Sequence, residues 1–218
     1  MAMRLAAAVL AALALGGTPN VNKLILAPSQ VGTGYLLIPR ADGFGVKNTV
    51  TLDLCGRKGY PSEALRVARL QVNYAAQHKQ LGLSNEVVAY RSGGAVQAMQ
   101  EVAQHADHCP KTPVVTGEAG IPPLRYTITR ISDPRLIHGY VAVRIRVRGT
   151  VKLKVKGKLQ PTKIDQTSYA VYQRLGNVLS GTYSYGPNVA AQQRFVLHAA
   201  EQSAQNLRRG RNVVSPTA

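Results

Sequence analysis

A stretch of alternating cations and apolar residues at positions 140–158 has the clearest chemical content in this 218-residue sequence. Alternate residues of an extended strand point to opposite faces, so these cations would share one face. Such a face could bind phospholipid head groups, envelope polyphosphates or adventitious nucleic acid. Exposed lysines also protect strand edges from pairing, so simple solvation is the alternative. The predicted anion-binding surface consists of Arg144, Arg146, Arg148, Lys152, Lys154, Lys156 and Lys158.

The register of this stretch decides whether the cations stay together. A tight hairpin at Gly149 and Thr150 would mix the two faces. A three-residue turn would place Arg148 opposite Lys152, which is unfavourable for like charges. We therefore predict one long strand that bends at Gly149 and turns near residues 157–161, so that it projects as a basic hairpin arm.

Two histidines near a predicted helix end form the best candidate for a metal site. His105 and His108 are three positions apart and could share a helix face, and Asp107 could add an oxygen ligand. Against this, Cys109 is needed for a disulfide, and histidine near a helix C-terminus is favoured electrostatically without any metal. We predict no metal site and no cofactor.

Common catalytic signatures are missing from the sequence. It has no Gly-x-Ser-x-Gly elbow, no phosphate-binding glycine loop and no His-Glu-x-x-His zinc helix. Only ten Asp and Glu residues are available for a paired-carboxylate site. Asp53 and Glu63 are better explained as a loop acid and a first-turn helix acid. We predict a non-enzymatic protein with no catalytic residue; a hydrolase would need a polar cluster assembled from distant segments.

The first 17 residues have the three-part pattern of a secretory signal peptide. A basic start at residues 1–4 precedes an apolar run of 11 residues, shorter than the roughly 20 that a spanning helix needs. An uncleaved anchor or a buried helix is the alternative. We predict cleavage near Gly16 or Gly17 and a product that is secreted or associated with the cell envelope.

The chain has two cysteines, Cys55 and Cys109. Export to an oxidising compartment favours their pairing, and an even count leaves no thiol unpaired. Chain entropy assigns a closed loop of this length a stabilisation of about 4 kcal/mol. We predict a Cys55–Cys109 disulfide, with two free buried thiols as the alternative.

Alternation of apolar and polar residues predicts several strands. The first would be half-buried, with Arg69, Gln71 and Asn73 on its outer face. The last two would close a tight hairpin around Gly176 and Asn177. The predicted strands cover residues 67–74, 86–91, 124–128, 140–156, 169–175 and 178–185.

Apolar spacing of three or four residues predicts two main helices, at residues 94–108 and 189–207. Val96 and Met99 would face the core from the first helix, and Val189 and Val196 from the second. Strands and helices do not alternate throughout, so we predict an α+β fold: an antiparallel β-sheet with two main helices packed on it and a long basic β-hairpin arm. One domain would occupy residues 18–209, followed by a flexible tail at 210–218.

The formal net charge of +17 is concentrated locally. Residues 125–158 contain ten Lys and Arg and a single acid, Asp133. No aromatic residue interleaves the cations of the arm, and the protein is predicted to be exported, so we predict no specific nucleic-acid partner.

Two stretches resemble a known family. Residues 84–91 read Ser-Asn-Glu-Val-Val-Ala-Tyr-Arg and run into the helix that ends before Cys109 and Pro110, and a closing helix spans residues 195–209. Over residues 24–207 the chain resembles the extracellular sensor domain of mycobacterial serine/threonine kinase H and related secreted actinobacterial proteins. The resemblance implies a compact α+β domain with a central antiparallel sheet, a cleft that receives a ligand, and no catalytic activity.

The chain departs from that family in two respects. The sensor domain of that kinase carries two disulfides, whereas the two cysteines of this chain allow only one. No kinase or transmembrane segment accompanies this sequence, so we expect a free-standing module. No binding residue is transferred from the family to this chain.

Two hypotheses follow. The first is a secreted, non-enzymatic ligand-binding or sensor-like module of the cell envelope. It would bind an unknown small-molecule or envelope ligand in a pocket between sheet and helix. The alternative is a cationic surface protein that docks on anionic lipids or polymers through the basic arm. We expect a monomer in either case.

Overall fold

The computed structural model describes six segments of the chain, residues 19–47, 54–55, 59–77, 79–115, 122–155 and 158–213. The predicted signal peptide and cleavage site, Asp53 and Lys156 lie outside the described residues. So do the side chains of residues 79, 153–155 and 211–213, which include Lys154.

Two short 3-10 turns, three α-helices and seven strands make up the described chain. The two longer helices are α2 and α3, and the two longest strands are β5 and β6. In chain order the elements are a turn at Val21–Lys23, α1 Pro28–Val31, β1 Leu36–Pro39, a turn at Pro61–Leu65, β2 Arg66–Ala76, β3 Lys79–Tyr90, α2 Gly94–Asp107, β4 Arg125–Arg130, β5 Val141–Val155, β6 Lys158–Leu175, β7 Val178–Tyr185 and α3 Val189–Val213.

The seven strands form one antiparallel sheet in the order β1-β2-β3-β7-β6-β5-β4. Strands that follow each other in the chain are neighbours in the sheet, with the exception of β3 and β4. β7 lies between β3 and β6 and so joins the two halves of the chain. The predicted α+β class and antiparallel sheet are confirmed.

Helices cover both faces of the sheet. On one face α3 packs over residues such as Val87, Tyr169 and Val171. On the other, α2 packs over residues such as Val88 and Tyr172. Strand β2 alternates as predicted over residues 70–74, with Leu70, Val72 and Tyr74 buried and Gln71 and Asn73 partly buried, but Arg69 departs from the pattern.

The β2 residue Arg69 lies under a loop on the α2 side of the sheet. The alternation of residues 67–74 predicts that this side chain faces solvent, opposite Ala68 and Leu70. Its side chain is instead fully buried, because the loop around Gly43 covers that side of the sheet and accepts its hydrogen bonds.

The predicted long basic strand is present as β5, and it pairs with β6 from Val141 opposite Tyr172 to Val155 opposite Lys158. β5 ends at Val155 and β6 begins at Lys158, so the chain reverses between these residues, slightly earlier than the predicted turn near residues 157–161. The strand continues through Gly149, where a β-carbon would meet Leu124 Cδ2 at 2.5 Å. A larger residue at this position would require the Leu124 side chain to move.

The two main helices differ from the prediction in detail. Val96 is 40% exposed and lies away from the core face of α2, which is formed by small residues such as Ala95 and Ala98. Helix α3 continues to Val213, several residues into the stretch predicted as a flexible tail. Within the described segments, no helix has both the length and the apolar character needed to cross a bilayer.

Candidate functional site

A cavity of about 790 Å³ lies at the end of the sheet where β6 turns into β7. Its walls come from the turn at Gly176 and Asn177, the last turns of α3, the first 3-10 turn and the loop at Ile137 and His138. This volume falls within the range of roughly 300 to 1,000 Å³ that is usual for small-molecule sites.

The interior wall of this cavity is apolar. Leu24, Val178 and Leu207 are buried behind it, and Ile137 and Leu175 are half-buried at its surface. These residues come from four separate chain segments. An apolar ligand body would lose water contact against them, at about 25 cal/mol for each Å² removed from water.

The more exposed lining residues, which we call the mouth of the cavity, include cations. Lys23, Arg174 and Arg209 line it together with His138, and the described residues of the lining include no Asp or Glu. The Arg174 guanidinium donates to Gly176 O at 3.0 Å, and that of Arg209 donates to Gln205 Oε1 at 3.3 Å. Each guanidinium has five N–H donors, so donors remain for an anionic group.

Local sequence explains the shape of the cavity floor. Gly176 has φ +58°, a left-handed conformation that glycine adopts without strain. It permits a two-residue turn, with Leu175 paired directly with Val178. The hairpin predicted around Gly176 and Asn177 is confirmed.

The N-terminal wall is fixed by Asn206 of α3. Its side-chain amide donates to Leu24 O at 3.4 Å, to Ile25 O at 3.3 Å and to Gln30 Oε1 at 3.1 Å. Its carbonyl accepts from Gln30 Nε2 at 2.9 Å. One buried amide thus holds the segment that carries Lys23 and Leu24 against the helix.

A smaller cavity of about 360 Å³ lies on the α2 side and shares His138 and Arg174 with the first. Met99 and Ala103 of α2 form its apolar wall, and Arg130 lies at its edge. His138 and Arg174 therefore stand between two depressions at the same end of the sheet.

The structure places the predicted cationic residues on two different faces. Arg144, Arg146, Arg148 and Lys152 are all exposed and share the face of β5 that lies on the α3 side. Lys158 pairs with Val155, and directly opposed residues of an antiparallel pair share a face, so Lys158 points to the other side. The side chains of Lys154 and Lys156 lie outside the described part of the chain.

The neighbouring strands contribute further charged groups to the same face. Arg125 pairs with Arg148, and Lys163 pairs with Thr150. Asp165 forms a two-pronged ion pair with Arg146, at 2.7 and 2.6 Å. Hydrogen bonds from Arg146 hold the pKa of the Asp165 carboxyl below its ordinary value.

The predicted disulfide joins Cys55 and Cys109, with their Cα atoms 5.7 Å apart. It fixes residue 55 beside the C-terminal end of α2. His105 and His108 each have Nδ1 within hydrogen-bond distance of a carbonyl one turn back, and Asp107 pairs with Arg130. Among the described residues no group of three or more His, Cys, Asp or Glu could hold a metal ion.

A buried polar cluster lies between β2, β3 and β7. The Arg69 guanidinium pairs with the Glu86 carboxylate, and both side chains are almost fully buried. The Tyr183 hydroxyl donates to Glu86 Oε2 at 3.2 Å, and burial raises the pKa of that phenol well above its ordinary value. No local pattern indicates this cluster, because its members are spread over three strands and their pairing depends on which strands are neighbours.

The residues that line the cavity could not be identified from the sequence either. Arg174, Leu175 and Arg209 have no motif spacing, and only the return of α3 past the β6–β7 turn brings them together. The two-residue turn at Gly176 and Asn177 was the one local signal.

Comparisons with known proteins give matches among solved structures only, four chains in all. No family model matches this chain, and no curated protein matches it. The crystal structure of the extracellular domain of PknH from Mycobacterium tuberculosis matches 84% of this chain and 94% of that chain, with a TM-score of 0.49 and 14% sequence identity. The loose resemblance to that sensor domain, stated from residues 84–91 and the two main helices, is confirmed at this level.

Proposed function

We propose that this protein is a non-enzymatic, sensor-like ligand-binding module of the cell envelope. Its ligand would be a small amphipathic anion bound in the 790 Å³ cavity at the β6–β7 turn. The observation that carries the proposal is the pairing of an apolar interior with a cationic mouth in one cavity.

The apolar wall supports the choice of an amphipathic ligand. Leu175 and Ile137 present half-buried side chains to the cavity, and Leu207 closes it from the helix. A fully polar ligand would gain nothing from these walls and would lose its own hydration.

The cations support the choice of an anion. Arg174 and Arg209 approach the mouth from the sheet and from α3, and Lys23 approaches it from the N-terminal segment. A carboxylate, sulfonate or phosphate could accept charge-assisted hydrogen bonds there while its apolar body enters the cavity. The predicted signal peptide supports an envelope location.

A fluorescent probe tests this proposal. Anilinonaphthalene sulfonate has an apolar body and one anionic group, and phenylnaphthylamine has a similar body without the charge. We expect the wild-type protein to bind the sulfonate more tightly than the neutral probe. The double variant Arg174→Gln/Arg209→Gln should weaken sulfonate binding roughly tenfold, about 1.4 kcal/mol, and leave the neutral probe little changed.

Arg208 provides the matched control, because it neighbours Arg209 and is exposed but does not line the cavity. Arg208→Gln should leave both affinities unchanged. Leu175→Ser should weaken both probes. Equal effects of Arg208→Gln and Arg209→Gln on sulfonate binding would show that only net charge matters and would refute the cavity as the site.

A further inference from the structure

The basic arm presents a second surface, separate from the cavity, whose composition points to a particular partner. We call it the arm face and define it by the exposed residues that lie on the α3 side of β4, β5 and β6 beyond the start of α3. The arm face comprises Arg125, Thr127, Thr129, Arg144, Arg146, Arg148, Thr150, Lys152, Leu159, Pro161, Lys163 and Asp165.

Helix α3 begins beside the base of the arm and does not cover the arm face. Gln192, in the first turns of α3, donates to Thr167 O of β6 at 3.0 Å. Further along β6 on this face, Lys163 and Leu159 are exposed. Side chains two positions apart on a strand are about 7 Å apart, so the cations of β5 form a row rather than a cluster.

Like charges face each other directly at the base of the arm. Arg125 of β4 is the cross-strand neighbour of Arg148 of β5. Such a pair is unfavourable on its own. On the β6 side, the residue opposite Arg148 is Asp165, but the carboxylate of Asp165 forms its ion pair with Arg146 instead.

A shallow depression of about 350 Å³ lies against these two arginines. It is lined by Arg125, Arg148 and Gly149 together with Pro113 and Pro123. An anion in this depression would lie near both guanidiniums and relieve their repulsion. Two neighbouring guanidiniums suit a phosphate group, because each can donate a pair of hydrogen bonds to its oxygens.

An exposed leucine lies near the other end of the arm face. Leu159 is 69% exposed and pairs with Lys154, which places it on the arm face beside Lys152 and its partner Pro161. Its backbone lies six residues along β6 from Asp165, which corresponds to about 20 Å. A soluble polyanion offers nothing to this apolar side chain, whereas a membrane interface accepts leucine below the level at which lysine binds head groups.

We propose that the arm face docks on the surface of an anionic lipid membrane. Leu159 enters the acyl boundary, Lys152 and Lys163 lie at head-group level, and a lipid phosphate sits between Arg125 and Arg148. The occupant is a lipid bilayer rather than a polymer because cations and an exposed apolar tip share this one face.

Vesicle sedimentation with the full chain tests the proposal. Vesicles of phosphatidylglycerol mixed with phosphatidylcholine should bind the protein, and binding should weaken as salt is raised, because screening shortens the reach of these charges. Vesicles of phosphatidylcholine alone should bind poorly. Lys152→Gln/Lys163→Gln should weaken binding to the anionic vesicles by roughly tenfold or more, since each cation near such a surface contributes about 1 kcal/mol.

The opposite side of the chain supplies a control of equal charge. Lys158→Gln/Lys111→Gln removes two exposed cations that are not on the arm face. This variant should keep most of the wild-type vesicle affinity. Equal losses for the two double variants would refute a specific docking face.

Leu159→Ser separates a membrane from a soluble polyanion. It should weaken vesicle binding severalfold and leave binding to inorganic polyphosphate unchanged. Because the Leu159 side chain is exposed, the Leu159→Ser variant should unfold at the same temperature as the wild type. Vesicle binding that is insensitive to Leu159→Ser, or binding to polyphosphate without binding to anionic vesicles, would overturn the proposal.

Discussion

Arg69 and Glu86 form an ion pair inside the sheet, with their side chains 0% and 1% exposed. The guanidinium also donates to Asp42 O at 2.9 Å and to Gln71 Oε1 at 2.6 Å. These contacts tie β2, β3 and the loop before β2 together. Taking two charges out of water is costly, so the intact pair adds little net stability, whereas an unpaired buried charge would be strongly unfavourable.

Breaking this pair should be far more costly than breaking a surface pair. Arg69→Met leaves the Glu86 carboxylate buried without its partner, and we expect a loss of about 3 to 5 kcal/mol in the free energy of unfolding. Arg40→Met removes the partner of Asp42, but those side chains are 37% and 53% exposed, so we expect less than about 1 kcal/mol. Urea unfolding measures both, and similar losses would contradict the assignment.

The sequence predicted features that depend on local periodicity or on chain chemistry. The alternation of β5, the two-residue turn at Gly176 and the Cys55–Cys109 bridge are of this kind. Each is decided by neighbours in the chain or by the small number of possible partners.

Features that depend on which elements are neighbours could not be predicted. A strand with Arg69 between Leu70 and Ala68 has the pattern of a half-buried strand, and only the covering loop reverses that interpretation. The face of Lys158 depends in the same way on where the hairpin turns, since a shift of one residue exchanges the two faces. The cavity needs α3, β6 and the N-terminal segment together.

Loss of the disulfide should lower stability without changing the fold. Cys55 and Cys109 close a loop across a sequence separation of 54. The double variant Cys55→Ser/Cys109→Ser should lose about 2 to 5 kcal/mol in the free energy of unfolding. Reductant should destabilise the wild type by a similar amount and leave the variant unchanged. A wild-type mass that does not rise by two hydrogen atoms on reduction would contradict the bridge.

Asp133 should make stability depend on acid pH. Its side chain is only 8% exposed, and hydrogen bonds from the Arg135 side chain hold its pKa below the ordinary value. A group with a lowered pKa in the folded state stabilises the fold above its unfolded pKa, about 3.9 for Asp. That contribution is lost as the pH falls through the lower, folded value.

Comparison with Asp133→Asn isolates this contribution. Near neutral pH we expect the variant to be less stable by about 1 to 2 kcal/mol, because the amide has no charge and only one acceptor oxygen for the Arg135 guanidinium. The gap between the two proteins should narrow below about pH 4. Urea unfolding over a pH series measures it. A gap that stays constant into strong acid would show that Asp133 acts through shape rather than charge.

Asn206 should control the order of the cavity wall at the N-terminal side. Its buried amide holds Leu24, Ile25 and Gln30, so Asn206→Ala leaves two backbone carbonyls and one side-chain amide without this partner. We expect a loss of about 1 to 3 kcal/mol in stability. Hydrogen exchange at residues 20–31 should speed up more than at β3, because the wall opens locally.

Gln205 is the control for this effect, since it precedes Asn206 on the same helix and contacts Arg209 instead. Gln205→Ala should leave exchange at residues 20–31 unchanged. If the wall forms the ligand site, Asn206→Ala should also weaken binding of anilinonaphthalene sulfonate, because Lys23 and Leu24 are no longer held in place. Faster exchange with unchanged probe binding would separate the two roles: it would keep Asn206 as a structural anchor and remove the N-terminal segment from the binding site.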